Sequence, residues 1–288
     1  MLRSRTGAVA ALCAIATAAV VTAGCGGGGT SSALQLDPVA AAATKTQNAG
    51  AAHVHLGIVL KGHGQTVRLH GAGAIHGTSS ELNFNLRPLL SRMAIPSAEA
   101  SEAAKEVALE QNGDYVVFMR AGFLSSQLPG GKQWIKVDLT KLGKSAGIDL
   151  RKIMSGSQIQ PTDVLAMLEA DGATVHKLGP ATIDGVSTTH YKVAVDLAKA
   201  LQANGLTSPL LGGAAAQLKT VHENVWIDRN GLVRRVALRY TSPSAGAPRV
   251  AMQMDISDYG AHVTIAAPPS SQVFDATQLV QQGLGNLH

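Results

Sequence analysis

Two clusters of residues in this chain, and one thiol, have types and spacings that chemistry could use. Gly143-Lys144-Ser145-Ala146-Gly147 matches the G-x-S-x-G pattern, in which a serine is presented as a nucleophile. That role needs a buried parallel strand, a strained turn and then a helix. The strand expected before it, Trp134 to Leu139, alternates in the antiparallel manner, and Thr140-Lys141-Leu142 intervenes. The same stretch hints at a phosphate-binding loop, but Asp138 stands where the first glycine belongs. A solvated loop is the expected reading, and no catalytic residue is assigned. His53, His55, His63, His70 and His76 crowd into 24 residues, and an all-imidazole set could take Zn²⁺ or Cu²⁺. No acidic side chain lies near them in sequence to orient the rings. A polar outer strand face is therefore expected, with no metal and no cofactor. The thiol is Cys25, directly after Ala23-Gly24; the other cysteine, Cys13, lies within an apolar N-terminal run.

That run explains Cys25. Arg3 and Arg5 make a basic start, Gly7 to Val21 is small and apolar, and Thr22-Ala23-Gly24-Cys25 follows. A charged start, a short apolar stretch and small residues at the break mark a secretory signal. With cysteine at its end, the segment resembles a bacterial lipobox, with Thr22 where Leu is commonest. That resemblance implies cleavage before Cys25 and lipid attachment to its sulfur. Removal of residues 1–24 would leave 264 residues with no other cysteine, which excludes disulfides, thiol catalysis and thiolate metal sites. Stability then has to come from core burial, and the length supplies it. The net charge of +5 falls to +3 without Arg3 and Arg5, no basic run occurs, and the chain has ten aromatics. Nucleic-acid binding, which needs a basic patch with stacking rings, is not expected.

The elements that follow have a clear period. Gly26 to Ser32 reads as a flexible tether. Asp37 and Pro38 are expected to cap and open an Ala-rich helix to about Gly50. From His53 the apolar period becomes two: Val54, Leu56, Ile58 and Leu60; then Val67, Leu69 and Ile75; then Leu82, Phe84 and Leu86. Alternation of this kind predicts antiparallel strands covered on one face. Further strands are expected at 105–110, 114–120, 133–139, 173–179, 184–195, 221–228, 231–240 and 249–258, eleven in all. Asn112-Gly113, Asp184-Gly185 and Asn230-Gly231 supply hairpin turns. Gly57, Gly71 and Gly73 fall within strands, where glycine marks a bend or a close approach. Helices are expected at 161–170, 196–203 and 212–220. The tail from Ala266 reads as Pro/Ser-rich and then weakly helical. Two connections are unusually apolar, Arg87 to Pro96 and Gly122 to Gly131.

Residues 171–240 carry a resemblance. DGATVHKLGPATIDGVSTTHYKVAVDLAKAL followed by ENVWIDRNGLVRRVALRY places Gly185 in a turn and His190-Tyr191-Lys192 on a strand. Val195-Asp196-Leu197 then leads to a helix, and Val225-Trp226-Ile227-Asp228 leaves a strand through Asn230-Gly231. The pattern resembles the LprG/LppX-type lipoproteins of actinobacteria, whose fold is LolA-like. The resemblance implies an α+β fold, with a curved antiparallel half-barrel sheet of about eleven strands and helices packed on its concave face. The implied organisation is a signal peptide over 1–24, an acylated cysteine and tether over 25–36, and one lipid-binding domain over 37–288. It implies a non-enzymatic protein anchored on the outer side of the cell membrane that holds a lipid or glycolipid for transport or presentation. The alternative is an envelope interaction or structural lipoprotein with no bound lipid. Strand alternation places Leu56, Ile58, Phe84, Val137, Met252 and Met254 on the inner, cavity-lining face. The apolar connections at 88–96 and 123–128 are expected either to form a mouth that meets the bilayer, with Arg87 and Arg92 near its headgroups, or to fold inward and cap the core.

Overall fold

The computed structural model describes residues 33–62, 64–90, 104–125, 127–145, 174–196, 220–241 and 249–285. The signal segment, Cys25 and the tether to Ser32 lie outside the described residues, as do His63, Ala146 and Gly147. So do the helix expected at 161–170, all of the one at 212–220 except Thr220, which begins a strand, and all of the one at 196–203 except Asp196, which ends a strand.

Twelve strands form one open sheet. They are β1 (Ala52–Gly62), β2 (Gln65–His76), β3 (Ser79–Asn85), β4 (Ala104–Gln111), β5 (Asp114–Arg120) and β6 (Trp134–Asp138), then β7 (Thr174–Ile183), β8 (Val186–Asp196), β9 (Thr220–Asp228), β10 (Val233–Thr241), β11 (Arg249–Ser257) and β12 (Val273–Asp275). Their order is β12-β6-β5-β4-β3-β2-β1-β11-β10-β9-β8-β7, a half-barrel whose edges stay apart. Eleven of these match the strands read from alternation. The twelfth comes from the tail and pairs in parallel with β6, Val273 beside Trp134. A three-residue strand is too short to show a period, so its sequence carried no signal.

The turn chemistry is as expected from its residues. Asn112 and Gly113 both have positive φ (55° and 77°), as do Asp184 and Gly185 (48° and 80°), the backbone of two-residue hairpins. The β9–β10 connection is longer and is built around Asp228. Its carboxylate accepts the Asn230 and Leu232 N–H groups at 2.8 and 3.0 Å and the Arg234 guanidinium at 2.8 Å. Burial pushes the Asp228 carboxyl up, but these donors outweigh it and hold its pKa below the usual value.

Helices lie against the inner face. α1 (Ala33–Gln47) starts earlier than Asp37 and contains Pro38 within it. Pro38 is its sixth residue, past the first turn, so its missing N–H removes one hydrogen bond of the helix. Ala40 and Ala42 of α1 pack into the same cluster as Val175, Tyr191, Val193, Val225 and Ile227, so α1 covers the wing formed by β7 to β10. Two short helices, α2 (Arg87–Leu90) and α3 (Gly122–Ser125), follow β3 and β5. α4 (Leu139–Ser145) and α5 (Thr277–Gly285) close the other wing through Leu139, Leu142, Ala276 and Val280.

One expectation about coverage is corrected. Val107, Leu109, Val116, Phe118 and Trp134 point away from the inner face and form a second cluster with Ile265, Ala267 and Val273. The segment leading to β12 crosses the outer side of β4 to β6, so those strands are buried on both faces.

The glycines divide. A Cβ on Gly73 would meet the Glu81 carbonyl oxygen at 1.9 Å, and one on Gly71 would meet the Phe84 ring at 2.8 Å. Both mark a close approach of β3 to β2. Gly57 has nothing within 4 Å of its Cβ position, so no close approach requires it.

Candidate functional site

Strand register defines the inner wall. Leu56 pairs with Met254 and Gly71, and Ile58 with Met252 and Leu69. Gly71 also faces Phe84, and Val117 faces Val137. Leu56, Ile58, Phe84, Val137 and Met252 are buried members of one cluster, and Met254 packs against it half-buried. The six candidate residues therefore share one apolar face spread over β1, β3, β6 and β11.

The two ends of the sheet differ. The connections at 77–78, 112–113, 184–185 and 229–232 lie at one end and are two to four residues long. At the opposite end β3, β5, β8 and β10 finish and β4, β6, β9 and β11 begin, so the longer connections 86–103, 121–133, 197–219 and 242–248 leave from and return to that end. The described parts of the apolar segments, 88–90, 123–125 and 127–128, thus belong to the same end. Of their described side chains, Leu90 is buried and Leu89 and Leu128 pack against the main cluster, while Pro88 and Gln127 are exposed. For the three leucines the inward-capping expectation holds, and free exposure is corrected. Residues 91–96 and the Phe123 and Leu124 side chains lie outside the described residues. Exposed Lys61, Arg68, Arg87, Arg239 and Arg249 stand at this same end, with no acidic partner among the described residues.

The inner wall also holds polar groups that were not singled out from the sequence. Glu106 pairs with Leu82 on one side and Met119 on the other; it is 3% exposed, and among the described residues its Oε1 has no hydrogen-bond partner. Burial raises its pKa from 4.5 to about 7. Ser80 Oγ and Tyr115 Oη are likewise buried without partners. The Tyr115 phenol is pushed up by burial and then by the Glu106 charge. On the other wing Glu223 lies between Val193 and Leu238. The residue is partly exposed, but its Oε1 is cut off from solvent and unpartnered, and burial raises its pKa to about 7. For Glu106 the available signal was an acidic residue inside an apolar strand with alanine at both same-face neighbours, Ala104 and Ala108.

The clusters that could have carried chemistry resolve differently. Ser145 ends α4 instead of following a strand, and its hydroxyl donates to the Leu142 carbonyl at 2.8 Å. Asp138 caps that helix, accepting the Lys141 N–H at 2.9 Å. His53 and His55 share the outer face, where His53 Nδ1 meets Asp258 Oδ2 at 3.0 Å. Among the described residues no three His, Cys, Asp or Glu side chains are grouped to hold a metal ion. The residues behind the resemblance are packing residues. Tyr191 is in the core, and His190 stacks on Trp226 with centroids 4.2 Å apart while meeting Asn224 at 2.9 Å.

No family model matches the chain. A Streptomyces griseus protein, described as an uncharacterized 31.2 kDa protein in the rplA-rplJ intergenic region, is 29% identical over 163 residues. Those residues are 54% of this chain, and the match spans about half, 52%, of that protein. Among solved structures the chain is similar to LprF from Mycobacterium bovis, at 15% identity and TM-score 0.39, covering 85% of this chain and 100% of that one. It is similar to the Mycobacterium tuberculosis lipoprotein LppX at 14% identity and TM-score 0.40, covering 79% and 98%. A LolA superfamily protein from Nitrosomonas europaea shares 10% identity at TM-score 0.27, covering 81% and 94%. The family named from residues 171–240 is thus among the structures to which this chain is similar.

Proposed function

We propose that this protein is a lipid-anchored envelope protein that holds the acyl chains of a lipid or glycolipid between its sheet and its helices, for transport or presentation. The observation that carries the reading is the inner wall, apolar from β11 through β1 and β3 to β6 and bounded by an open sheet. No bond-making is required. The mechanism is partition, in which each methylene moved from water to the wall contributes about 0.8 kcal/mol. The long connections and the five exposed basic residues share one end, which suits that end to an anionic lipid surface. The test is lipid extraction and mass spectrometry of the purified protein. An Ile58→Trp variant is expected to lose the co-purified lipid while keeping most of its stability, because the ring enters space the acyl chain occupied. If the parent holds no lipid and the variant loses about 1–3 kcal/mol by overpacking, the carrier reading fails.

That failure would favour the second reading, an interaction lipoprotein with a filled core. Its supporting observation is that five of the six wall residues are buried within one continuous cluster.

In both readings we assign Cys25 as the anchor, because it directly follows Ala23-Gly24 at the end of a short apolar run with a basic start. Replacing Cys25 by Ser is expected to release the protein or leave its signal uncut. Normal cutting with unchanged membrane retention would refute the assignment. Two acyl chains give stable anchoring where one gives marginal binding.

A further inference from the structure

We infer that the inner face of β3 and β4 carries a hydrogen-bonding subsite, built on Glu106 and Ser80, for an uncharged polar linkage of the bound lipid, an ester, amide or hydroxyl. The inference rests on the lipid-binding reading above.

The geometry comes from register. Ser80 pairs with Ala108, and Glu106 is the next inward residue along β4. The two are therefore diagonal neighbours, about 7–8 Å apart between Cα atoms and less between side chains. Ala104 and Ala108, both buried, flank Glu106 with methyl groups only, so that stretch of wall is shallow. Leu82 and Met119 face Glu106 from the adjoining strands, and neither can satisfy a carboxyl. Tyr115, across from Glu110, adds a third unpartnered buried polar atom one row beyond Ser80.

Buried polar atoms in folded proteins are nearly always hydrogen-bonded. Three orphans on adjacent strands of one wall call for a shared partner that an apolar chain alone would not supply. The chemistry selects the partner. A protonated carboxyl both donates and accepts, and a serine hydroxyl does the same, which matches an ester carbonyl or an alcohol. Among the described residues no cation pairs with Glu106, so a fatty-acid carboxylate or a phosphate would be left unneutralised there.

The test uses the whole purified chain with two pyrene-labelled probes of equal chain length, a monoacylglycerol and a plain hydrocarbon. The native chain is expected to bind the monoacylglycerol about tenfold more tightly, and Glu106→Leu to abolish that preference by weakening the monoacylglycerol alone. Ser80→Ala, a smaller change, is expected to reduce the preference in the same direction and serves as the reading if Glu106→Leu does not fold. Equal affinity of the native chain for both probes, or equal weakening of both by the variants, overturns the subsite and leaves the lipid reading standing. Binding of neither probe by the native chain overturns both.

Discussion

Gly73→Ala is expected to be among the most damaging single substitutions in this protein, and Gly57→Ala among the mildest. The new methyl at Gly73 would sit 1.9 Å from the Glu81 carbonyl oxygen and 2.9 Å from the Leu82 Cα. Those are backbone atoms of the paired strand, so no rotamer change relieves the clash. β3 would have to lift away from β2, opening the inner wall at Leu82 and Phe84. Backbone conflicts of this kind cost more than about 3 kcal/mol, a fall in Tm of roughly 6–12 °C for a chain of this size. At Gly57 the methyl meets nothing within 4 Å, and the loss of unfolded-chain freedom favours alanine by a few tenths to about 1 kcal/mol. Thermal unfolding of the two variants side by side checks the claim. Similar losses in both would show that β3 does not approach β2 so closely.

The second large effect is a stability that rises as the solution is acidified from about pH 8 to about pH 5. Burial raises Glu106 and Glu223 from 4.5 to about 7. Between those values the folded chain holds protons that the unfolded chain has released. Stability therefore falls as pH climbs through that window and levels off above it. Glu106 alone accounts for about 3 kcal/mol of the difference, read as a Tm higher by roughly 6–12 °C at the acid end. Glu106→Gln is expected to remove about half of the pH dependence while preserving shape. Below the usual carboxylate range the sign reverses. Asp275, like Asp228, is held low: burial opposes this, but the Thr277 hydroxyl and N–H and the Lys136 ammonium outweigh it. The stabilisation those two carboxylates provide is lost when they protonate. A Tm that is flat from pH 5 to pH 8, or a Glu106→Gln profile that parallels the parent, would show that Glu106 is not buried as described.

Both effects arise where the chain resists reading from local pattern. In β4, Ala-Lys-Glu-Val-Ala-Leu-Glu-Gln, the larger apolar residues are Val107 and Leu109, so alternation alone would turn Glu106 toward water. The register does the opposite, because Glu106 is opposite Leu82 and therefore on the inner face. Val107 and Leu109 are buried on the outer side by Ile265, Ala267 and Val273. Those covering residues are some 150 positions away in sequence, and no local period announces them. The two strand glycines that matter could be noticed from sequence, but only the close approach of β3 distinguishes Gly71 and Gly73 from Gly57.

What the sequence by itself determined is what neighbours along the chain decide. Eleven strands follow from a period of two, the two-residue hairpins from Asn-Gly and Asp-Gly at positive φ, and the side of the wall taken by Leu56, Ile58, Phe84, Val137, Met252 and Met254 from alternation within each strand. What only the tertiary structure decided is everything that needs two distant segments at once. The parallel pairing of β12 with β6, the double covering of β4 to β6, the gathering of the long connections at one end and the burial of Glu106 beside Ser80 belong to this class. The physical reason is that a strand's period fixes which residues share a face, while register and packing fix what that face meets.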